Sequence, residues 1–122
     1  MKRLPIIFRA DKSEVTAIFP TLPHDYHGRF MTCYAHVGQH GSCSLDWYRG
    51  TRPAKPAEYA DLLAELRRIY SRPGDPDAVE LVIYSRIMPQ HRAALRQAVA
   101  GYQTAVAGES AWVQGRIGES VA

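Results

Sequence analysis

Residues 30–48 read FMTCYAHVGQHGSCSLDWY, with apolar and polar side chains alternating on either side of a glycine-containing turn. Two apolar sets recur at every second position: Met31, Cys33, Ala35 and Val37, then Cys43, Leu45 and Trp47. Because successive side chains of a strand point to opposite faces, the stretch predicts strands at 30–37 and 43–48. Keeping both apolar sets on one face requires a turn centred on Gln39 or His40.

Further strands are predicted on both sides of this hairpin, at residues 4–9, 15–19 and 79–87, from short β-branched and aromatic runs. Apolar residues at helical spacing predict helices at 56–71 and 89–106, each opened by a proline. The predicted order is ββββαβα. We therefore expect an α+β fold with a mainly antiparallel sheet of about five strands and two helices on one face. Residues 1–107 would form a single domain and residues 108–122 a loosely ordered C-terminal tail.

The composition is that of a globular protein with a mild excess of positive charge. The formal net charge is +3 and the isoelectric point is near 9.0, values compatible with nucleic-acid binding or with ordinary solubility. No apolar stretch approaches the roughly 20 residues that cross a bilayer, and the N-terminal residues lack the apolar core of a signal peptide. We therefore expect a cytoplasmic protein without membrane contact, in which Cys33 and Cys43 are free thiols.

Four potential zinc ligands lie close together in the central stretch, in the pattern Cys33-x2-His36-x3-His40-x2-Cys43. Strand alternation argues against a shared ion, because Cys33 and His36 would point to opposite faces of the sheet. The alternative interpretation is two buried cysteines that act as small apolar residues, beside turn and surface histidines. Zinc therefore remains a possible cofactor, but the pattern favours a protein without a cofactor.

A nucleophile is also available in this stretch, since Cys43 or Ser44 could act with His36 and Asp46. No nucleophile elbow or other specific catalytic motif surrounds these residues. A metal-dependent or thiol enzyme centred on the Cys33, His36, His40 and Cys43 hairpin is the alternative function, and the sequence favours a protein that is not an enzyme.

The polar face of the hairpin is a candidate binding surface. If the apolar face packs on the core, the opposite face presents tyrosines next to the basic connector at residues 49–55. Aromatic side chains beside arginine and lysine suit a protein interface or base stacking with phosphate contacts. The candidate binding residues are Tyr34, His36, Tyr48, Arg49, Arg52 and Lys55. A merely solvated sheet face is the competing interpretation.

Two further features bear on partners. His91, Arg92 and Arg96 place positive charge on the second predicted helix, a pattern more typical of a solvated face than of a DNA-reading helix. A free sheet edge would make a homodimer possible.

Several segments of the chain resemble a family of short uncharacterised proteins encoded by bacteriophages and prophages. The resemblance covers about residues 4–66 and rests on VTAIFPTLP (15–23), YAHVGQHGSCS (34–44), the Trp47–Tyr48 pair and TRPAKP (51–56). It implies an accessory protein of a mobile element in the cytoplasm of a bacterial host. Such proteins bind host or phage macromolecules, so the resemblance implies a protein or nucleic-acid partner.

Overall fold

The structure is a computed structural model that describes residues 2–12, 14–25, 27–35 and 39–121, with the backbone alone for residue 39 and residues 106–121. The strands are β1 (Lys2–Asp11), β2 (Glu14–Pro23), β3 (Phe30–Ala35), β4 (Gln39–Ser44), β5 (Arg52–Pro53) and β6 (Val79–Tyr84). The helices are α1 (Leu45–Arg49), α2 (Pro56–Tyr70) and α3 (Pro89–Val121). The predicted α+β fold with a mainly antiparallel sheet is confirmed, and α1 and the two-residue β5 are additions to the predicted order.

The sheet is an antiparallel meander to which one parallel strand is added. Its order is β4-β3-β2-β1, and the free edge of β1 is then shared by two strands. β5 pairs antiparallel with β1 at Arg9 and Ala10, whereas β6 pairs parallel with β1 from Lys2 to Ile7. A parallel partner needs a crossover connection, and α2 lies in the connection that leads to β6.

Helices cover both faces of the sheet, which corrects the expectation of two helices on one face. Ile6 and Phe8 of β1 pack with α2 in one buried cluster. Ile7, between them, packs in a second cluster with residues of α1 and α3. The physical reason is visible in the sequence, since Ile6-Ile7-Phe8 and Ala17-Ile18-Phe19 are continuous apolar runs, and strands buried on both faces have such runs.

The hairpin of β3 and β4 has the predicted facing, but its turn lies earlier in the sequence than predicted. Met31 lies opposite Cys43, so the described apolar residues of the two strands share a face. Ala35 pairs with Gln39, which places the connection at residues 36–38, outside the described residues, rather than around Gln39 or His40. The predicted strand 43–48 is wrong after Ser44, because the Ser44 hydroxyl accepts a hydrogen bond from Trp47 N at 3.1 Å and caps α1.

α3 runs from Pro89 to Val121, so it continues through the residues predicted to form a loosely ordered tail. Residues 108–121 contain no proline, and their glycines do not interrupt the helical backbone. In the described part of the chain, no helix combines the length and the hydrophobicity that crossing a membrane requires.

His91 fixes the first turn of α3. Its Nδ1 accepts a hydrogen bond from Met88 N at 3.0 Å, as the third residue of a capping box does. The ring is 2% exposed and packs edge to face on Tyr84, with 4.4 Å between ring centroids. Nε2 has no hydrogen-bond partner among the described residues. Burial lowers the pKa of His91, because the imidazolium form would lose its hydration.

The lowered pKa predicts that acidification destabilises the fold. In the unfolded chain His91 binds a proton near its ordinary pKa of about 6.5, whereas the folded chain binds it only at lower pH. The unfolded state then holds more protons, and the free energy of unfolding should fall by up to about 1 kcal/mol between about pH 7.5 and about pH 5.5. Denaturant titrations at several pH values measure how the free energy of unfolding changes with pH.

His91→Gln is the matched control, because glutamine keeps an acceptor at the capping position and does not titrate. The stability of this variant should change less over the same pH range. If the free energy of unfolding depends on pH equally in the two proteins, His91 is not the group that destabilises the fold in acid.

Candidate functional site

The predicted binding face is covered rather than open. Tyr34 is 2% exposed and belongs to the buried cluster under α2. Its hydroxyl donates to Glu65 Oε1 at 2.7 Å, and this carboxylate raises the pKa of Tyr34. The packing of α2 on this side of the sheet therefore removes Tyr34 from the surface. His36 lies outside the described residues.

The basic connector is exposed, but its arginines have carboxylate partners. Arg52 holds Glu58 in two parallel hydrogen bonds of 2.8 and 2.7 Å. These bonds, helped by the backbone N–H of Lys55, lower the pKa of Glu58 to about 2. Arg49 pairs with Asp46 at 3.5 Å. Lys55 is exposed at the start of α2.

Tyr48 has a structural position. Its hydroxyl accepts a hydrogen bond from Ile87 N at 3.0 Å. The Arg9 guanidinium lies 4.4 Å from the centre of its ring. The side chain is half-buried, so Tyr48 ties α1 to the segment before α3 rather than forming an open aromatic surface.

The structure does not bring the potential zinc ligands together. Cys33 and Cys43 belong to the face covered by α1 and α3. His40 pairs with Tyr34 and directs Nε2 to the Tyr70 hydroxyl at 2.6 Å, on the α2 side. Among the described residues no group of three histidine, cysteine, aspartate or glutamate side chains could hold a metal ion.

The two cysteines form a thiol pair. Interaction with the Cys43 thiol lowers the pKa of Cys33 to about 7, against the opposing effect of burial. The same contact raises the pKa of Cys43. The more acidic thiol is therefore Cys33, not the Cys43 proposed as nucleophile from the sequence. Ser44, the other proposed nucleophile, is engaged as the cap of α1.

A cleft on the α3 side was missed by the sequence prediction. It has a volume of about 220 Å³. Its floor is apolar and consists of Pro20, Met31, Leu45, Ile87 and Leu95. Its rim carries the three exposed arginines Arg29, Arg92 and Arg96. We call it the arginine cleft.

The loop before β3 positions Arg29 opposite α3. Asp25 Oδ1 accepts hydrogen bonds from the backbone N–H groups of Arg29 and Phe30, at 3.1 and 3.3 Å. Gly28 has a φ of +71°, and a Cβ there would lie 3.3 Å from Val99 Cγ2 of α3. Only glycine allows this backbone conformation and this close approach without strain. The loop is thus held against the helix, with Arg29 at the cleft.

The arginines of the cleft differ from three other arginines of the fold, which have carboxylate partners. Arg3, Arg49 and Arg52 each pair with a carboxylate within 4 Å. For Arg29, Arg92 and Arg96, no ion pair is formed within the part of the chain that the structure describes. Residues 89–105 of α3 contain no aspartate or glutamate. The cleft therefore combines an apolar floor with positive charge that is not neutralised by those residues.

Part of this site was visible in the sequence. Arg92 and Arg96, four residues apart, share one face of a helix, and they were interpreted as a solvated face. Arg29 precedes them by more than 60 residues, and no local pattern connects it to α3. The sequence matches no protein-family model, no curated protein and no solved structure, so the geometry of this chain is the basis for inferring its function.

Proposed function

We propose that this protein is a small, non-enzymatic binding protein whose arginine cleft receives an acidic protein partner. An apolar side chain of the partner would fill the floor, and carboxylates around it would pair with Arg29, Arg92 and Arg96. The observation that carries the proposal is the coincidence of an apolar cleft with three arginines that have no described carboxylate partner. Protein interfaces have this anatomy, with an apolar centre, a polar rim and an enrichment in arginine.

The size and the lining of the cleft favour a protein over other ligands. Its volume of about 220 Å³ lies below the roughly 300–1,000 Å³ of small-molecule sites and suits a single inserted side chain. Its floor is aliphatic, whereas surfaces that bind single-stranded nucleic acid stack bases on aromatic rings. The resemblance to phage and prophage proteins fits such a role, because an accessory protein in a bacterial cytoplasm would act on a host or phage macromolecule.

Charge reversal in the cleft should abolish binding. We expect the double variant Arg92→Glu, Arg96→Glu to weaken the complex at least tenfold, because carboxylates of the partner would then face like charges. The test is capture of partners from host lysate on the purified protein, with and without nuclease, followed by titration of the captured protein. A partner band that resists nuclease and is lost with the double variant supports the proposal.

The matched control is Arg67→Glu, Arg68→Glu, which makes the same change of charge on exposed positions of α2, a helix that packs on the other side of the sheet. This variant should retain the partner. If both double variants release it equally, the attraction is one of net charge and the cleft is not the site. Retained material that disappears on nuclease treatment would identify a nucleic-acid binder instead.

A further inference from the structure

The thiol pair under α1 and α3 has a geometry that the proposed function does not use. Cys33 pairs across the hairpin with Gly41, and Cys43 pairs with Met31. The two cysteines are therefore diagonal neighbours on one face of adjacent strands. No other cysteine is present in the chain.

The surroundings leave room for the two sulfurs to join. Gly41 has no side chain opposite Cys33, and even a Cβ built there would lie 3.7 Å from Cys33 Sγ. Diagonal neighbours have Cα atoms about 7–8 Å apart, and a disulfide needs at most about 6.8 Å. A disulfide therefore requires the two Cα atoms to approach by about 1 Å. β4 pairs with β3 alone among the described strands, so no second strand opposes this movement.

The two thiols differ in access, as attacking and resolving thiols do. Cys33 is half-buried and is the more accessible of the two cysteines. Cys43 is 5% exposed and is shielded from direct attack. The lowered pKa of Cys33 favours its thiolate form, which is the nucleophilic form.

We propose that Cys33 and Cys43 are an oxidisable pair that hydrogen peroxide converts to an intramolecular disulfide. The Cys33 thiolate attacks one peroxide oxygen, the O–O bond breaks, and the leaving hydroxide takes up a proton to give water. Cys33 is then a sulfenic acid. Cys43 loses its proton, its sulfur attacks the Cys33 sulfur, and the second hydroxide leaves as water. In total two thiols lose two electrons, and the peroxide gains two.

The second step is helped by the first. While Cys33 is a thiolate, it disfavours a second negative charge beside it and raises the pKa of Cys43. Oxidation of Cys33 removes this charge, so Cys43 can then ionise and attack. The order of events, with Cys33 first and Cys43 second, follows from the structure.

The test treats the reduced full-length protein with a small excess of hydrogen peroxide and measures intact mass and free thiols under denaturing conditions. Wild-type protein should lose both thiols and the mass of two hydrogen atoms, with a Cys33–Cys43 crosslinked peptide after digestion. Cys43→Ser and Cys43→Ala should instead accumulate a sulfenic acid on Cys33, trapped by a cyclic 1,3-diketone. Cys33→Ser should keep its remaining thiol.

Three outcomes would overturn the proposal. Wild-type protein could keep both thiols at a peroxide concentration that oxidises Cys33 in the Cys43 variants. It could carry Cys33 to sulfinic acid while Cys43 stays reduced, which would show that the sulfurs do not meet. It could also form disulfides only between molecules. The two alternative substitutions of Cys43 keep the test valid if one of them fails to fold.

Discussion

Arg9→Ala is expected to lower the free energy of unfolding by about 3 kcal/mol, because it removes a buried side chain that bonds to two segments of the chain. Arg9 is 8% exposed. Its guanidinium donates to Thr51 Oγ1 at 2.9 Å, to the Thr51 carbonyl at 2.6 Å and to the Ser85 carbonyl at 3.4 Å. It also lies over the ring of Tyr48. Alanine would leave these acceptors without a donor and a gap beside the ring.

Denaturant unfolding of two control variants separates the network from a general effect of charge. Arg9→Lys keeps the charge and the aliphatic stem but not the fork of donors, so its loss should be intermediate. Arg52→Ala, on the neighbouring β5, removes an exposed ion pair with Glu58 and should cost much less. If Arg9→Ala and Arg52→Ala lower the free energy of unfolding equally, the hydrogen bonds of Arg9 do not stabilise the fold as proposed.

Phe19→Ala should lower the free energy of unfolding by about 4 kcal/mol, since it empties the centre of the core beneath α2. The side chain is 0% exposed and packs on the Tyr70 ring, with 5.2 Å between ring centroids. Phe30→Ala is the matched control, because Phe30 is 39% exposed on β3. The control should unfold at nearly the wild-type denaturant concentration. Similar midpoints for both variants would mean that α2 does not cover Phe19 as described.

The elements that could be predicted are those with a strong local signal. Alternation of side chains and helical spacing gave the strands and helices in their order, and the apolar faces of β3 and β4 were correctly paired. The short helix α1 was missed, because residues 43–48 also alternate and the pattern gives no weight to the hydrogen bond by which Ser44 caps α1. Local capping prevailed over alternation there.

The candidate site was harder to predict, because its residues are joined only by tertiary packing. Tyr34 was expected on the surface, and it is buried because α2 covers the face that was taken to be open. The sequence did indicate that both faces of the sheet are covered, since β1 and β2 are apolar on both sides. The arginine cleft had no comparable clue, because the position of Arg29 depends on the contact between Gly28 and Val99. Sequence spacing does not reveal such a contact.

The parallel pairing of β1 with β6 has a consequence for how the chain acquires its structure during synthesis. β1, β2, β3 and β4 are neighbours in sequence and can pair as soon as they leave the ribosome. Lys2, in contrast, pairs with Val79, 77 residues later. Until β6 emerges, β1 has an open edge and an apolar sequence, a combination prone to intermolecular association. The nascent chain is thus most vulnerable to aggregation until Tyr84 has left the ribosome. Pairing of β6 with β1 ends that period.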